Sequence, residues 1–263
     1  MHMTEHICFF DLDGTLFSHQ SDSVPASALR SLSMLQKNQI PIVLATGRHF
    51  TELEQLEGTA SIPFDAWIML TGAYIADREK RKIASEKIGE ENLVILMDWL
   101  NSHNYSYIVV EEQVSYMNSH SDLARKVQDS IHTALFPVMD LTRIHSHPVY
   151  QLTVFAPWNI AEELTRLVPA VRATQWHELG FDLSSVKAGK GNALRNVCEY
   201  FQVPVSASFA FGDNNNDLDM LKAAGTGIAM GNGSDEAKAA ADYVTDVIDA
   251  DGIFHALHHF GLI

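Results

Sequence analysis

The run Ile7-Cys8-Phe9-Phe10-Asp11-Leu12-Asp13-Gly14-Thr15-Leu16 decides how the rest of the chain is read. Its first four residues are apolar on both faces and stop abruptly at acidic residues and a glycine, the pattern of a strand buried in a parallel sheet. The pattern recurs. Pro41-Ile42-Val43-Leu44-Ala45 stops at Thr46-Gly47-Arg48, and Ala66-Trp67-Ile68-Met69-Leu70 stops at Thr71-Gly72. Ala207-Ser208-Phe209-Ala210-Phe211 stops at Gly212-Asp213, and Gly227-Ile228-Ala229-Met230 stops at Gly231. Residues 26–35 and 216–224 carry apolar side chains three and four apart, which predicts helices. Strand and helix in alternation imply crossover units, hence an α/β chain with a parallel sheet and helices on both faces.

Residues 81–187 read differently. Ser106-Tyr107-Ile108-Val109-Val110 and Gln151-Leu152-Thr153-Val154-Phe155 alternate more, and amphipathic helices are predicted over 93–100 and 123–135. Alternation implies a sheet with one wetter face, so this stretch is read as an α+β module inserted into the parallel-sheet domain. The predicted division is 1–80 and 188–263 for the core and 81–187 for the insert.

The 263 residues are 46% hydrophobic and 19% charged, enough apolar material for a substantial core and unlike a disordered chain. With 18 basic and 33 acidic side chains the net charge is -15, a poor match for a nucleic-acid backbone or an anionic membrane. No apolar stretch approaches the ~20 residues that span a bilayer. Cys8 and Cys198 are the only cysteines, too few and too far apart for a disulfide framework. The first residues lack a secretory pattern, so a cytoplasmic location is expected.

Ligands of open parallel sheets bind outside the carboxyl ends of the strands, where the polar residues above fall. On an extended segment Asp11 and Asp13 project to one side while Leu12 points away. Two carboxylates that close repel unless a cation intervenes, and an oxygen ligand set beside a phosphate suggests Mg2+. The stretch Gly212-Asp213-Asn214-Asn215-Asn216-Asp217 adds oxygen ligands at the mouth of a helix, although acidic residues also favour a helix start for its dipole alone. Thr46 and Gly47 offer a hydroxyl and an N–H as the chain turns, either a phosphoryl cradle or a helix cap. Lys190, in Gly189-Lys190-Gly191, opens another helix and could meet an anion, with Lys187 as a nearby competitor.

In this order, Asp11-Leu12-Asp13-Gly14-Thr15-Leu16, Ala45-Thr46-Gly47-Arg48, Lys190-Gly191-Asn192-Ala193-Leu194 and Gly212-Asp213-Asn214-Asn215-Asn216-Asp217 resemble the haloacid dehalogenase-like phosphohydrolases. Ile228-Ala229-Met230-Gly231-Asn232-Gly233 and Asp251-Gly252-Ile253 look like the Cof-type subfamily, whose members hydrolyse small phosphorylated metabolites. The resemblance implies a Rossmann-like core with an inserted α+β cap of the C2 type, and it favours Lys190 over Lys187. Spacing agrees: 33 positions separate Asp13 from Thr46, too few for a cap, and 144 separate Thr46 from Lys190, too many for one crossover. One departure stands out, since Thr71-Gly72 occupies the place of the family's Asn-Gly.

The roles implied are these. Asp11 attacks phosphorus and forms an aspartyl-phosphate, and Asp13 acts as general acid and then general base. Mg2+ is held by Asp11, Asp13 (through its main-chain carbonyl) and Asp213, with Asp217 orienting that set. Thr46, Lys190, Asn216 and the N–H groups of Leu12 and Gly47 grip the phosphoryl oxygens. The expected partner is a small phosphorylated metabolite, with no nucleic acid or membrane and no oligomeric state implied. The cap is expected to close over the site and select the leaving group, without Tyr150, Arg143, Trp176 or His177 being assigned there. The 13 histidines are scattered and none is expected beside the motif residues. A phosphotransferase or mutase is the alternative, and a non-catalytic phosphometabolite-binding regulator a weaker one.

Overall fold

A computed structural model describes residues 5–53, 62–131 and 133–263. The chain opens with β1 (Ile7–Phe10), α1 (Ala26–Lys37), β2 (Ile42–Ala45), α2 (Phe50–Leu53), β3 (Ala66–Met69), β4 (Tyr74–Asp77) and β5 (Lys82–Ser85). Next come α3 (Glu90–Ser102), β6 (Tyr107–Val110), β7 (Ser115–Met117), α4 (Asp122–Ser130), β8 (Gln151–Val154), α5 (Trp158–Leu167), β9 (Val171–His177) and β10 (Gly180–Ser185). The last part holds α6 (Lys190–Phe201), β11 (Ser208–Gly212), α7 (Leu218–Ala223), β12 (Thr226–Ala229), α8 (Asp235–Ala240), β13 (Tyr243–Val244) and α9 (Gly252–His259). The chain separates into two compact units, one running up to Ser85 and resuming at Ala188–Ile263, the other Glu86–Lys187.

The first unit is built on an eight-stranded sheet in the order β13-β12-β11-β1-β2-β3-β4-β5. The strands from β13 to β3 pair in parallel, and β4 and β5 close that edge antiparallel. Because β5 pairs with β4, residues 82–85 belong to this sheet rather than to the insert, where the sequence boundary at 81 put them. Ile7, Phe9, Val43, Ala45 and Ile68 point to one face, where α6 covers them with Ala193, Leu194, Val197 and Cys198. Cys8, Phe10 and Leu44 point the other way and are equally buried, which explains why these strands read as apolar without alternation. On α1 the buried Ala28, Leu32 and Leu35 recur at helical spacing, and the helix packs on β2 and α9.

The arrangement positions a site. From β1 the chain steps outward through β2 and β3, whereas the returning segment fills the other side through β11, β12 and β13. The crevice at such a reversal, at the carboxyl ends of the strands, is where open α/β sheets bind ligands. Here it lies where β1 is flanked by β11 and β2, with Phe10 level with Phe211 and Leu44.

The second unit has a five-stranded antiparallel sheet in the order β7-β6-β8-β10-β9. Tyr107, Val109, Leu152, Val154, Phe181 and Leu183 form its apolar face, packed against Leu93, Leu96 and Leu100 of α3 and Ile160 and Leu164 of α5. The helix expected over 123–135 stops at Ser130. Beyond it Thr133 turns back, donating its N–H to the Gln128 carbonyl and its hydroxyl to the Gln128 side chain. The β-branched Ile131 and Thr133 favour that break. No helix among the described residues is long and apolar enough to cross a membrane.

Candidate active site

The level ends of β1, β2 and β11 bring Asp11, Thr46 and Asp213 to one edge of the sheet. The Asp11 N–H extends the ladder to the Phe211 carbonyl (2.9 Å), and the Thr46 N–H extends it to that of Ile68 (2.8 Å). From the opposite layer, Lys190 enters as the first residue of α6 and is fully buried. Its Nζ donates to Asp11 Oδ1 at 2.5 Å and to Asp217 Oδ1 at 2.6 Å. The other Asp217 oxygen, Oδ2, accepts the N–H groups of Asp213 (3.0 Å) and Asn214 (3.1 Å), closing a capping box around the short 3-10 turn Asn215–Asp217. Both oxygens of Asp217 are therefore committed to protein donors. Lys187, the competitor in the sequence, lies exposed.

Asp11, Asp213 and Asp217 each present a carboxylate oxygen within 4.8 Å of the others. The Thr15 hydroxyl donates to Asp213 Oδ1 (2.9 Å). Gly14 has φ +83°, and a Cβ there would fall 2.4 Å from Asp213 Oδ2, so only glycine lets the turn after β1 pass this close. Three clustered carboxylates face one ammonium, and the carboxyls of Asp11 and Asp213 respond. Burial lifts the Asp11 carboxyl well above its ordinary range, repulsion from Asp217 and Asp213 adds to it, and Lys190 opposes. Asp213 is pushed up to about 6, by burial first and Asp217 second, against the pull of the Thr15 hydrogen bond. Burial disfavours the Lys190 ammonium, but Asp11 and Asp217 outweigh burial and hold it above its usual value. Hard oxygen donors with unmet negative charge suit a divalent cation. Asp11 and Asp213 are the members best able to hold one, because three protein donors already occupy the Asp217 oxygens.

Asp13 is not in this cluster. Its carboxylate takes a two-pronged contact from Arg48, Nε to Oδ2 at 2.8 Å and Nη2 to Oδ1 at 2.7 Å, and His19 Nε2 lies 3.1 Å from Oδ1. The expectation that no histidine stands beside the motif residues is thus corrected at His19. Arg48 sits in a quoted motif yet received no role from the sequence. Its planar fork matches a carboxylate, which is the one available hint. Thr46 Oγ1 accepts the Arg48 N–H (3.1 Å), which leaves its own hydrogen free to donate outward. Among the described residues the N–H groups of Leu12 and Gly47 have no hydrogen-bond partner. Asn216 is half-buried in the 3-10 turn beside Asp217. Asn232 ties the loops together, donating to the Gly14 carbonyl (2.7 Å) and accepting from the Ile248 N–H (2.8 Å).

Comparison with known proteins gives the family. A family model described as haloacid dehalogenase-like hydrolase matches residues 8–257. The phosphatase YwpJ of Bacillus subtilis is 31% identical over 95% of this chain and 97% of its own. The pyridoxal phosphate phosphatase YbhA of Escherichia coli is 26% identical over 95% and 97%. Among solved structures, BT1666 of Bacteroides thetaiotaomicron, described among phosphatases of the same superfamily, superposes with a TM-score of 0.91 at 29% identity, covering 99% of this chain and 97% of the other.

Proposed function

The chain belongs to the haloacid dehalogenase-like hydrolases and is a phosphatase of phosphorylated small molecules, and from that premise we propose a Mg2+-dependent hydrolase of metabolite phosphate monoesters, sugar phosphates or similar, working through an aspartyl-phosphate on Asp11. One observation carries the reading: three carboxylates from β1 and the β11 loop converge with a single lysine at the reversal point of a parallel sheet.

In the first half-reaction the Asp11 carboxylate attacks phosphorus while the bond from phosphorus to the ester oxygen breaks, and Asp13 gives that oxygen a proton. In the second, water attacks the same phosphorus, Asp13 takes its proton, and Asp11 leaves as a free carboxylate beside inorganic phosphate. Arg48 holds both Asp13 oxygens in the structure, with His19 beside them, so Asp13 must leave that pair and take up a proton before it acts as the acid. Lys190 orients the Asp11 carboxylate and offsets charge on the phosphoryl group. Thr46 Oγ1, Asn216 and the N–H groups of Leu12 and Gly47 supply hydrogen bonds to phosphoryl oxygens. The residues fit a divalent cation, with Asp11 and Asp213 holding it through carboxylates, Asp13 through its main-chain carbonyl, and Asp217 steering Lys190 and the Asp213 backbone. Bound there, Mg2+ neutralises negative charge where one anion must approach another.

The test is phosphate release from p-nitrophenyl phosphate and from a panel of sugar, pyridoxal and nucleotide monophosphates, with Mg2+ and with excess chelator. Turnover restored by Mg2+ after chelation is expected. Equal rates with and without the metal would defeat the metal assignment, and no release from any monoester would defeat the whole reading.

A further inference from the structure

The turn between β3 and β4 is left-handed at three consecutive residues: Leu70 (φ 51°), Thr71 (φ 51°) and Gly72 (φ 92°). Glycine adopts this region freely, whereas a β-branched residue there is a backbone outlier. Such strain persists only where the surroundings enforce it, and it concentrates at functional sites. The enforcing contacts are visible. The Thr71 N–H donates to the Thr46 carbonyl (3.0 Å) and the Leu70 N–H to that of Arg48 (3.3 Å), so the turn grips the Thr46-Gly47-Arg48 segment on both sides of Gly47. Gly72 passes so close to Gly189 that a Cβ would fall 2.3 Å from its carbonyl oxygen. One turn thereby braces both the phosphoryl-binding segment and the residue before Lys190.

The side chain of Thr71 is only 4% exposed, and among the described residues its hydroxyl makes no hydrogen bond. Oγ1 lies 3.3 Å from where a Cβ of Gly47 would stand, beside a residue whose N–H is likewise unpartnered. The oxygen itself is not sealed from solvent, so its hydrogen can be donated to a molecule that enters the site. We propose that Thr71 is a further substrate-binding residue, its hydroxyl donating to a phosphoryl oxygen next to those held by Thr46 and Gly47. The proposal rests on the assignment of Thr46 and Gly47 to phosphoryl binding.

Thr71→Ser and Thr71→Ala differ only in the hydroxyl and are equally free of the β-branch, so comparing them cancels any relief of backbone strain. The readouts are inhibition of p-nitrophenyl phosphate hydrolysis by inorganic phosphate, kcat and KM, and the thermal midpoint. Thr71→Ser is expected to keep phosphate affinity within about threefold of wild type, and Thr71→Ala to weaken it by at least about tenfold, the lower end for one hydrogen bond to a charged group. Their midpoints should agree. Thr71→Val, matched in shape, should bind phosphate as poorly as Thr71→Ala. Equal inhibition constants for the Ser and Ala variants would overturn the proposal while an active, phosphate-inhibited wild type left the phosphatase reading intact. A wild type that neither turned over nor bound phosphate would remove both.

Discussion

Each unit buries charge, and the two do it differently. In the second unit Glu111 at the end of β6 meets Arg143, with Nε to Oε1 at 3.1 Å and Nη2 to Oε2 at 2.6 Å, and the guanidinium lies over the Tyr116 ring. One negative group faces one positive group, and the hydrogen bond to Glu111 holds Arg143 above its ordinary value. In the first unit Asp11, Asp213 and Asp217 face Lys190 alone, and Asp11 and Asp213 are both driven upward. A balanced pair needs nothing further and reads as a structural device. An unbalanced cluster is stable only if protons or a cation make up the difference, which is how perturbed groups mark functional sites.

The largest effect expected from this contrast is at Asp11. Asp11→Asn keeps the shape and removes a charge the fold already resists. Turnover of p-nitrophenyl phosphate should drop by at least about 10⁴-fold, as for loss of a covalent nucleophile. The melting temperature of the metal-free protein should hold or rise, since one repelling carboxylate is gone. Residual activity within tenfold of wild type would remove Asp11 from the nucleophile's role.

Lys190→Met makes the imbalance worse. Three carboxylates would then share no ammonium, and breaking a fully buried ion pair costs about 3–5 kcal/mol. A melting temperature many degrees lower is expected without metal, partly restored by Mg2+, along with a fall in kcat of about a hundredfold or more. An unchanged melting curve would mean that the lysine does not hold the cluster together.

The same cluster sets an unusual pH response. Asp213 is pushed up to about 6 in the folded chain, and Asp11 is raised as well, whereas unfolded carboxyls titrate near 3.9. Between those values the folded state binds more protons than the unfolded state, so stability is gained as pH falls through about 6. Calorimetry of chelator-treated protein should show a higher melting temperature at pH 5.5 than at pH 7. Saturating Mg2+ should reverse the trend, because protons then compete with the ion. A metal-free protein that simply loses stability across this window would contradict the raised values.

How much of this was legible in the chain depends on how far each feature reaches. The sheet could be read because strands apolar on both faces, such as Ile7–Phe10, have few other homes. Asp11, Thr46 and Asp213 could be listed because each directly follows such a strand, and parallel strands bring their ends together. The Arg48–Asp13 contact could not, since it depends on the rotamer of a long side chain crossing 35 positions. His19 and Asn232 escaped for a similar reason: they are fixed by loop paths, and loops carry no period to read. Thr71 drew notice as a departure, but its left-handed backbone and its place beside Gly47 are facts of geometry alone.

The smallest effects belong to the balanced pair, and they fall unequally on its two members. Glu111 has a side chain 4% exposed, whereas that of Arg143 is 28% exposed. Arg143→Met therefore strands a carboxylate that water can hardly reach, and the melting temperature should fall by several degrees. Glu111→Gln leaves a guanidinium with access to solvent and the Tyr116 ring still beneath it, so its fall should be about half as large. Joining Glu111→Leu to Arg143→Met removes both charges and should recover most of the loss, as replacement of buried pairs by apolar residues often does. Throughout the series kcat/KM for p-nitrophenyl phosphate should stay within about twofold of wild type. A tenfold loss of kcat/KM in Arg143→Met at an unchanged melting temperature would erase the contrast, because the balanced pair would then be acting on the reaction rather than on the fold.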